Sequence, residues 1–156
     1  MADAPAAPGA APSLSTRQRW AAIAQGMQQD MTAYGHLCEL LHTQFHAALR
    51  HDAEAMQEAA VQITAQVQWL EGTRKERGQH VLALLPAGAP LSMEAAFALL
   101  QAPLQQQLLG LWGQLEAQVQ VCKAMNQRNC QLIMEQAEVM RAVIVGNAQP
   151  EIYAPL

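Results

Sequence analysis

Aromatic residues are scarce in this 156-residue chain, at 4%, and charged residues make up only 14%. Few side chains are aromatic or β-branched, the types that strands favour, which argues against an all-β fold. No Gly-rich loop stands ahead of a helix in the way phosphate binding requires, so a parallel-sheet nucleotide enzyme is excluded too. Positive charge is short: nine Lys and Arg face thirteen Asp and Glu, a net charge of −4. Without a basic stripe to neutralise phosphates, the chain does not read as a nucleic-acid binder. No apolar run reaches the roughly 18 residues of a membrane span, so no membrane insertion is expected. The opening MADAPAAPGAAP has neither a basic segment nor an apolar core and is not a secretory signal. Cys38, Cys122 and Cys130 are odd in number and form no C-x-x-C pair, which fits a reduced, cytoplasmic protein.

What is plentiful is Ala and Gln, with 30 and 21 residues, about a third of the chain together. Ala is the strongest helix former, and Gln is a good one without charge. Residues 1–14 hold three prolines and, Met1 and Leu14 aside, no large apolar side chain, so they are expected to be a disordered tail. Ser15 stands three residues before Gln18, a capping-box spacing that predicts a helix from there to about Leu49. Its apolar positions include Trp20, Ile23, Met27, Met31, Tyr34, Cys38, Leu41, Phe45 and Ala48, stepping by three and four from Met31 onward as a heptad seam does. Asp52 suits the N-cap of a second helix, with Met56, Ala59, Ile63, Val67 and Leu70 on its apolar side. Arg74 and Arg77 then turn that seam polar, and Pro86 stops the helix. The cluster Arg74, Lys75 and Arg77 is interrupted by Glu76 and reads as a solvated helix face rather than an anion site.

Ser92 caps a short helix over 93–101, with Phe97 and Leu100 on its apolar side. Pro103 opens a last helix of about forty residues, roughly 60 Å long. Its seam runs through Leu108, Trp112, Leu115, Val119, Cys122, Asn126, Asn129, Ile133, Gln136, Met140 and Val143, and Gly146, Asn147 and Pro150 punctuate its end. The fold class is therefore all-α. Helices this long, joined by short turns, predict an elongated antiparallel bundle of three long helices, with the short helix between the second and the last and coiled-coil-like packing. One domain spans 15–147, and 148–156 is expected to be a flexible tail.

Asn126, Asn129 and Gln136 are polar residues on an apolar seam. A buried Asn costs stability unless it is paired, but it can fix register and partner choice. Either these positions lie at a wet end of the bundle, or the face is reserved for a partner helix whose polar groups complete the amides. Leu132, Ile133, Met134, Val139, Met140, Val143 and Ile144 supply more apolar surface than one seam needs. That surplus predicts a second apolar face, either open to another helix or covered by the short one.

Enzymatic constellations fail on inspection. Glu39, His42 and His46 form E-x-x-H-x-x-x-H, but a carboxylate-bridged bundle needs a second Glu-x-x-His, and there is none. Glu39 and His46 also fall opposite the Phe45 seam. His36, His51 and His80 have no nearby nucleophile with an orienting acid. Cys122 and Cys130 are about 12 Å apart along one helix, too far to bridge, and read as small apolar packing residues. No catalytic site, metal site or cofactor is expected, and the chain is not read as an enzyme. The terminal QPEIYAPL carries Ile152 and Tyr153 on a segment that proline bars from helix. It is either an end that folds back on the bundle or a short docking motif whose aromatic anchors in a partner.

These features resemble the FlgN-type flagellar export chaperones over residues 15–155. In the first hairpin the matching elements are Leu40-Leu41 and Ala48-Leu49 ahead of Asp52, then Arg77 and Leu84-Leu85. In the last helix Trp112, Met125-Asn126, Asn129, Leu132-Ile133 and Gln136 resemble the family's Trp…Leu-Asn-x-x-Asn-Gly-x-Leu-Leu-x-x-Gln. Pro150, Ile152 and Tyr153 resemble its Pro-x-Leu-Tyr-Gly. Cys130 replaces the Gly after the second Asn, and Ala154 replaces the Gly after Tyr. The resemblance implies a cytoplasmic chaperone for the C-terminal helical segments of flagellar hook-associated (hook–filament junction) proteins. Such a chaperone keeps its clients from assembling early and delivers them to the flagellar type III export gate. Carried over, client contact falls on Asn126, Asn129, Leu132, Ile133, Gln136, Val139, Met140 and Val143, and gate contact on Tyr153 with Ile152. Two other readings stay open: a structural coiled coil that forms homo-oligomers through its last helix, and a metal-binding four-helix bundle.

Overall fold

The computed structural model describes residues 13–148, which form four helices and, among the described residues, no strand. They are α1 (Thr16–Leu49), α2 (Ala53–Leu84), α3 (Met93–Phe97) and α4 (Leu104–Ala148). The fold is the all-α bundle expected from the composition.

Local chemistry sets most of the boundaries. Ser15 Oγ accepts the Gln18 N–H at 3.1 Å, and Gln18 Oε1 accepts the Ser15 N–H at 2.8 Å, so the capping box forms as read. At the other end of α1, the Asp52 N–H donates to the Ala47 carbonyl at 2.9 Å and the His51 N–H to the Ala48 carbonyl at 3.1 Å. This is a Schellman closure, and His51 takes its left-handed position with φ 56°. Asp52 then caps α2 by accepting the Ala55 N–H at 3.1 Å. One residue thus closes α1 and opens α2, and so short a turn sends α2 back antiparallel.

Two boundaries differ from expectation. The short helix, expected over 93–101, is only Met93–Phe97. Residues 98–103 turn instead and end at a cis Ala102–Pro103 bond, since a proline disfavours helical backbone in the residue ahead of it. The last helix runs through Gly146 and Asn147, the expected stop, to Ala148.

α1 lies in the middle, packed against α2 on one side and α4 on the other, while the backbones of α2 and α4 stay apart. Sequential long helices are antiparallel, so α4 runs parallel to α1. A central helix needs two buried faces. The seam read from the sequence supplies one; Asp30, Ala33, Leu37, Leu40 and Ala47 are buried as well and supply the other. α2, on the flank, buries only Ala59, Leu70 and Val81.

The core has two parts. At the end where α1 begins, Trp20, Ile23, Met27, Val81, Leu85, Phe97, Leu108 and Leu115 pack together. Phe97 stacks on Trp20 at 6.0 Å and meets Trp112 edge-on at 6.3 Å, so α3 plugs this end of the bundle. Further along, Ala33, Leu37, Leu41, Leu70 and Cys122 form the second part. Arg77 corrects the reading of a solvated basic face. Its Nη1 pairs with Asp30 Oδ2 at 2.5 Å, with the side chains only 10% and 2% exposed. Its guanidinium also lies 5.5 Å over the Trp112 ring, bridging α2 to α4. Arg74 stays exposed and pairs with Glu71 one turn earlier, and Lys75 is exposed too.

Candidate functional site

The site is built by the register between α4 and α1. Three polar side chains of α4, seven residues apart, donate to three carbonyls of α1, also seven apart. Cys122 Sγ donates to the Tyr34 carbonyl at 3.4 Å, Asn129 Nδ2 to Leu41 at 2.6 Å, and Gln136 Nε2 to Ala48 at 2.8 Å. Each pair is 88 positions apart, so the two helices run in step over this stretch. A seven-residue repeat on both helices is what keeps one stripe facing the neighbour. The Ala48 carbonyl belongs to the last turn of α1 and already accepts the His51 N–H, so Gln136 is a second donor to it. Gln136 thereby ties the end of α1 to α4.

The next rung would fall at Val143, but α1 has already ended at Leu49. Residues 138–148 of α4 run past it for about 16 Å. Along this overhang Val139, Met140, Val143, Ile144 and Val145 are 50% to 64% exposed. Met140 and Val143 continue the stripe that faces α1 lower down. The apolar seam is built to meet a helix, and α1 does not reach that far.

The residues singled out on this helix fall into two groups. Asn129 is buried, and its amide is taken up inside the chain: Nδ2 also donates to Gln44 Oε1 at 3.0 Å, and Oδ1 receives Arg128 at 3.4 Å. Gln136 is half-buried and bonded to α1 as above. These two amides set register within the chain, which is one of the roles read for a seam Asn. Asn126 is exposed, Leu132 and Ile133 are half-buried, and Val139, Met140 and Val143 are open. Arg128, which the sequence reading passed over, lies with its guanidinium 3.7 Å over the Phe45 ring and closes the flank of this joint. Ile152 and Tyr153 lie outside the described residues. α3 packs at the opposite end of the bundle and does not cover the overhang.

Between α2 and α4 a groove opens along α1. One cavity of about 360 Å³ is lined by Tyr34, Arg77, Trp112 and Leu115. A second, of about 200 Å³, is lined by Leu41, Ile63, Val67, Cys122 and Asn126, and both share Tyr34 and Val119. Burial raises the Tyr34 phenol above its ordinary value, and the Asp30 carboxylate adds to the effect. Burial, followed by the bond with Cys38, pushes the Cys122 thiol up to about 12.

His42 and His46 do meet, Nε2 to Nε2 at 3.0 Å, on the exposed side of α1. No third His, Cys, Asp or Glu joins them in a metal-sized group among the described residues. Nor is any described helix long and apolar enough to cross a membrane.

The family model described as FlgN protein matches residues 20–145, most of the chain and all of the ladder. No curated protein and no solved structure matches.

Proposed function

The chain belongs to the FlgN family, the flagellar export chaperones, and from that premise we propose that its clients are the C-terminal segments of flagellar hook-associated proteins. The observation that carries the proposal is the end of α4, where an apolar seam continues past the helix it served. A client segment, disordered on its own, folds there as an amphipathic helix and takes the place that α1 leaves vacant. Val139, Met140, Val143 and Ile144 meet its apolar side, with Leu132 and Ile133 at the base. Asn126 lines the mouth of the adjoining groove. Asn129 and Gln136 act one step back, by holding α4 at the register that leaves the end free.

Ordering the client offsets several kcal/mol of the gross contact energy, so a large buried area yields only moderate affinity. That suits a protein that must release what it carries. Methionine at the contact adapts to clients of different shape. While the helix is occupied, the client's own assembly surface is withheld. Delivery to the flagellar type III export gate completes the role, with Tyr153 and Ile152 as the gate contact.

A pull-down with C-terminal segments of hook-associated proteins tests the client assignment. Retention by the wild-type chain and loss with Val143→Asp support it. No retention, together with a tight dimer in light scattering, would instead make the same apolar end a self-association surface. Tyr153→Ala is expected to leave client retention unchanged and to lower binding to export-gate components; equal gate binding would remove the tail from the mechanism.

A further inference from the structure

The three cysteines do not all sit alone. Cys38 on α1 and Cys122 on α4 are 84 positions apart in sequence, yet their Sγ atoms stand 2.8 Å from each other. Cys122 is buried and Cys38 half-buried, at the centre of the α1–α4 contact. The surroundings hold both sulfurs in place. The Cys122 thiol also points at the Tyr34 carbonyl at 3.4 Å, and Gln118 Nε2 reaches Cys38 Sγ at 3.5 Å. Cys122 is itself a rung of the ladder that fixes α4 against α1. Cys130 is exposed and about two turns further along the same helix, out of reach of Cys122.

We propose that Cys38 and Cys122 form a dithiol that a low-molecular-weight disulfide converts into an α1–α4 cross-link, with Cys130 outside the pair. Cys38 is the more exposed of the two and is the attacking sulfur. Its thiolate displaces one thiolate from the oxidant and forms a mixed disulfide at Cys38. Cys122 then loses its proton and attacks Cys38 Sγ, releasing the second thiolate. In sum, two protein thiols and one external disulfide become one protein disulfide and two external thiols. The two electrons go to the oxidant, and no other reactant is needed. The high proton affinity of buried Cys122 fits its place as the second, resolving sulfur rather than the first.

The bond would lie on the ladder and hold covalently the register that decides how far α4 outruns α1. It would also close a long loop holding the whole of α2 and α3, the kind of closure that restricts an unfolded chain most. This inference does not depend on what binds the end of α4.

The test uses the full chain with Cys130→Ser, treated with oxidised glutathione and read by intact mass. The expected product has lost two hydrogens and carries no glutathione. Its melting midpoint rises by roughly 10 °C, and added reductant reverses both changes. Adding Cys122→Ser should trap one glutathione on Cys38, because nothing can resolve the mixed disulfide. Two outcomes would overturn the proposal. One is a Cys130→Ser chain that keeps both thiols at an oxidant dose that modifies Cys130 in the wild type. The other is a chain that carries glutathione on both remaining cysteines.

Discussion

Among the described residues, Asp30 and Arg77 are the ion pair that this bundle takes out of water. A buried pair contributes little net stability, but removing one partner strands the other. Arg77→Met should therefore cost about 3–5 kcal/mol in urea unfolding. Adding Asp30→Leu should recover most of that loss, because neither charge is then left unpaired. A small effect of the single substitution would mean that water reaches Asp30. The buried thiol gives a second expectation at this scale. Cys122 holds its proton up to about 12 in the folded chain, against an ordinary value of 9.0. Unfolding then releases a proton between those values, so the contribution is fully present below about pH 9 and lost as pH rises towards 12. The raised Tyr34 phenol acts in the same direction. Denaturation midpoints at about pH 8 and pH 11 should fall with pH, and fall less in Cys122→Ala.

Among the helices, the turn at 50–52 carries most of the architecture. His51 holds a left-handed conformation that a side chain disfavours. His51→Gly should raise stability by roughly 1 kcal/mol, measured as a shift in the urea midpoint at unchanged slope. The caps at Ser15, Asp52 and Ser92 were legible in the sequence because each bonds within three residues of itself. The α4 seam was legible too, since Leu108, Leu115, Cys122 and Asn129 are buried at seven-residue spacing. The second face of α1 was not. It is made of small Ala33 and Ala47 and of charged Asp30 beside Leu37 and Leu40, a mixture that no apolar period picks out. Arg77 was misread because its partner lies 47 positions away. Asn129 and Gln136 were recognised as polar seam residues, but their acceptors are mostly backbone carbonyls of α1, and carbonyls leave no mark in a sequence.

At the scale of the whole molecule, the proposed function rests on a mismatch of lengths. α1 has 34 residues and α4 has 45, and the two run in step from the start of α1. The excess emerges at one end as a helix with its apolar side uncovered. The sequence holds both lengths, but only the register, fixed by the rungs at Cys122, Asn129 and Gln136, shows which residues are left without a neighbour. Several of the residues expected to touch a client lie on that end, while Asn129 and Gln136 lie beneath it and keep it in place. Met140 and Val143 are 61% and 52% exposed, so covering them should contribute about 1–1.5 kcal/mol each to binding. The most direct measurement is a calorimetric titration of the full chain with the C-terminal segment of a hook-associated protein, wild type beside Met140→Asp with Val143→Asp. A one-to-one complex is expected for the wild type, with at least a ~100-fold loss of affinity in the double variant and no change in its melting midpoint. Equal affinity of the two proteins would contradict the assignment of this helix end as the client site.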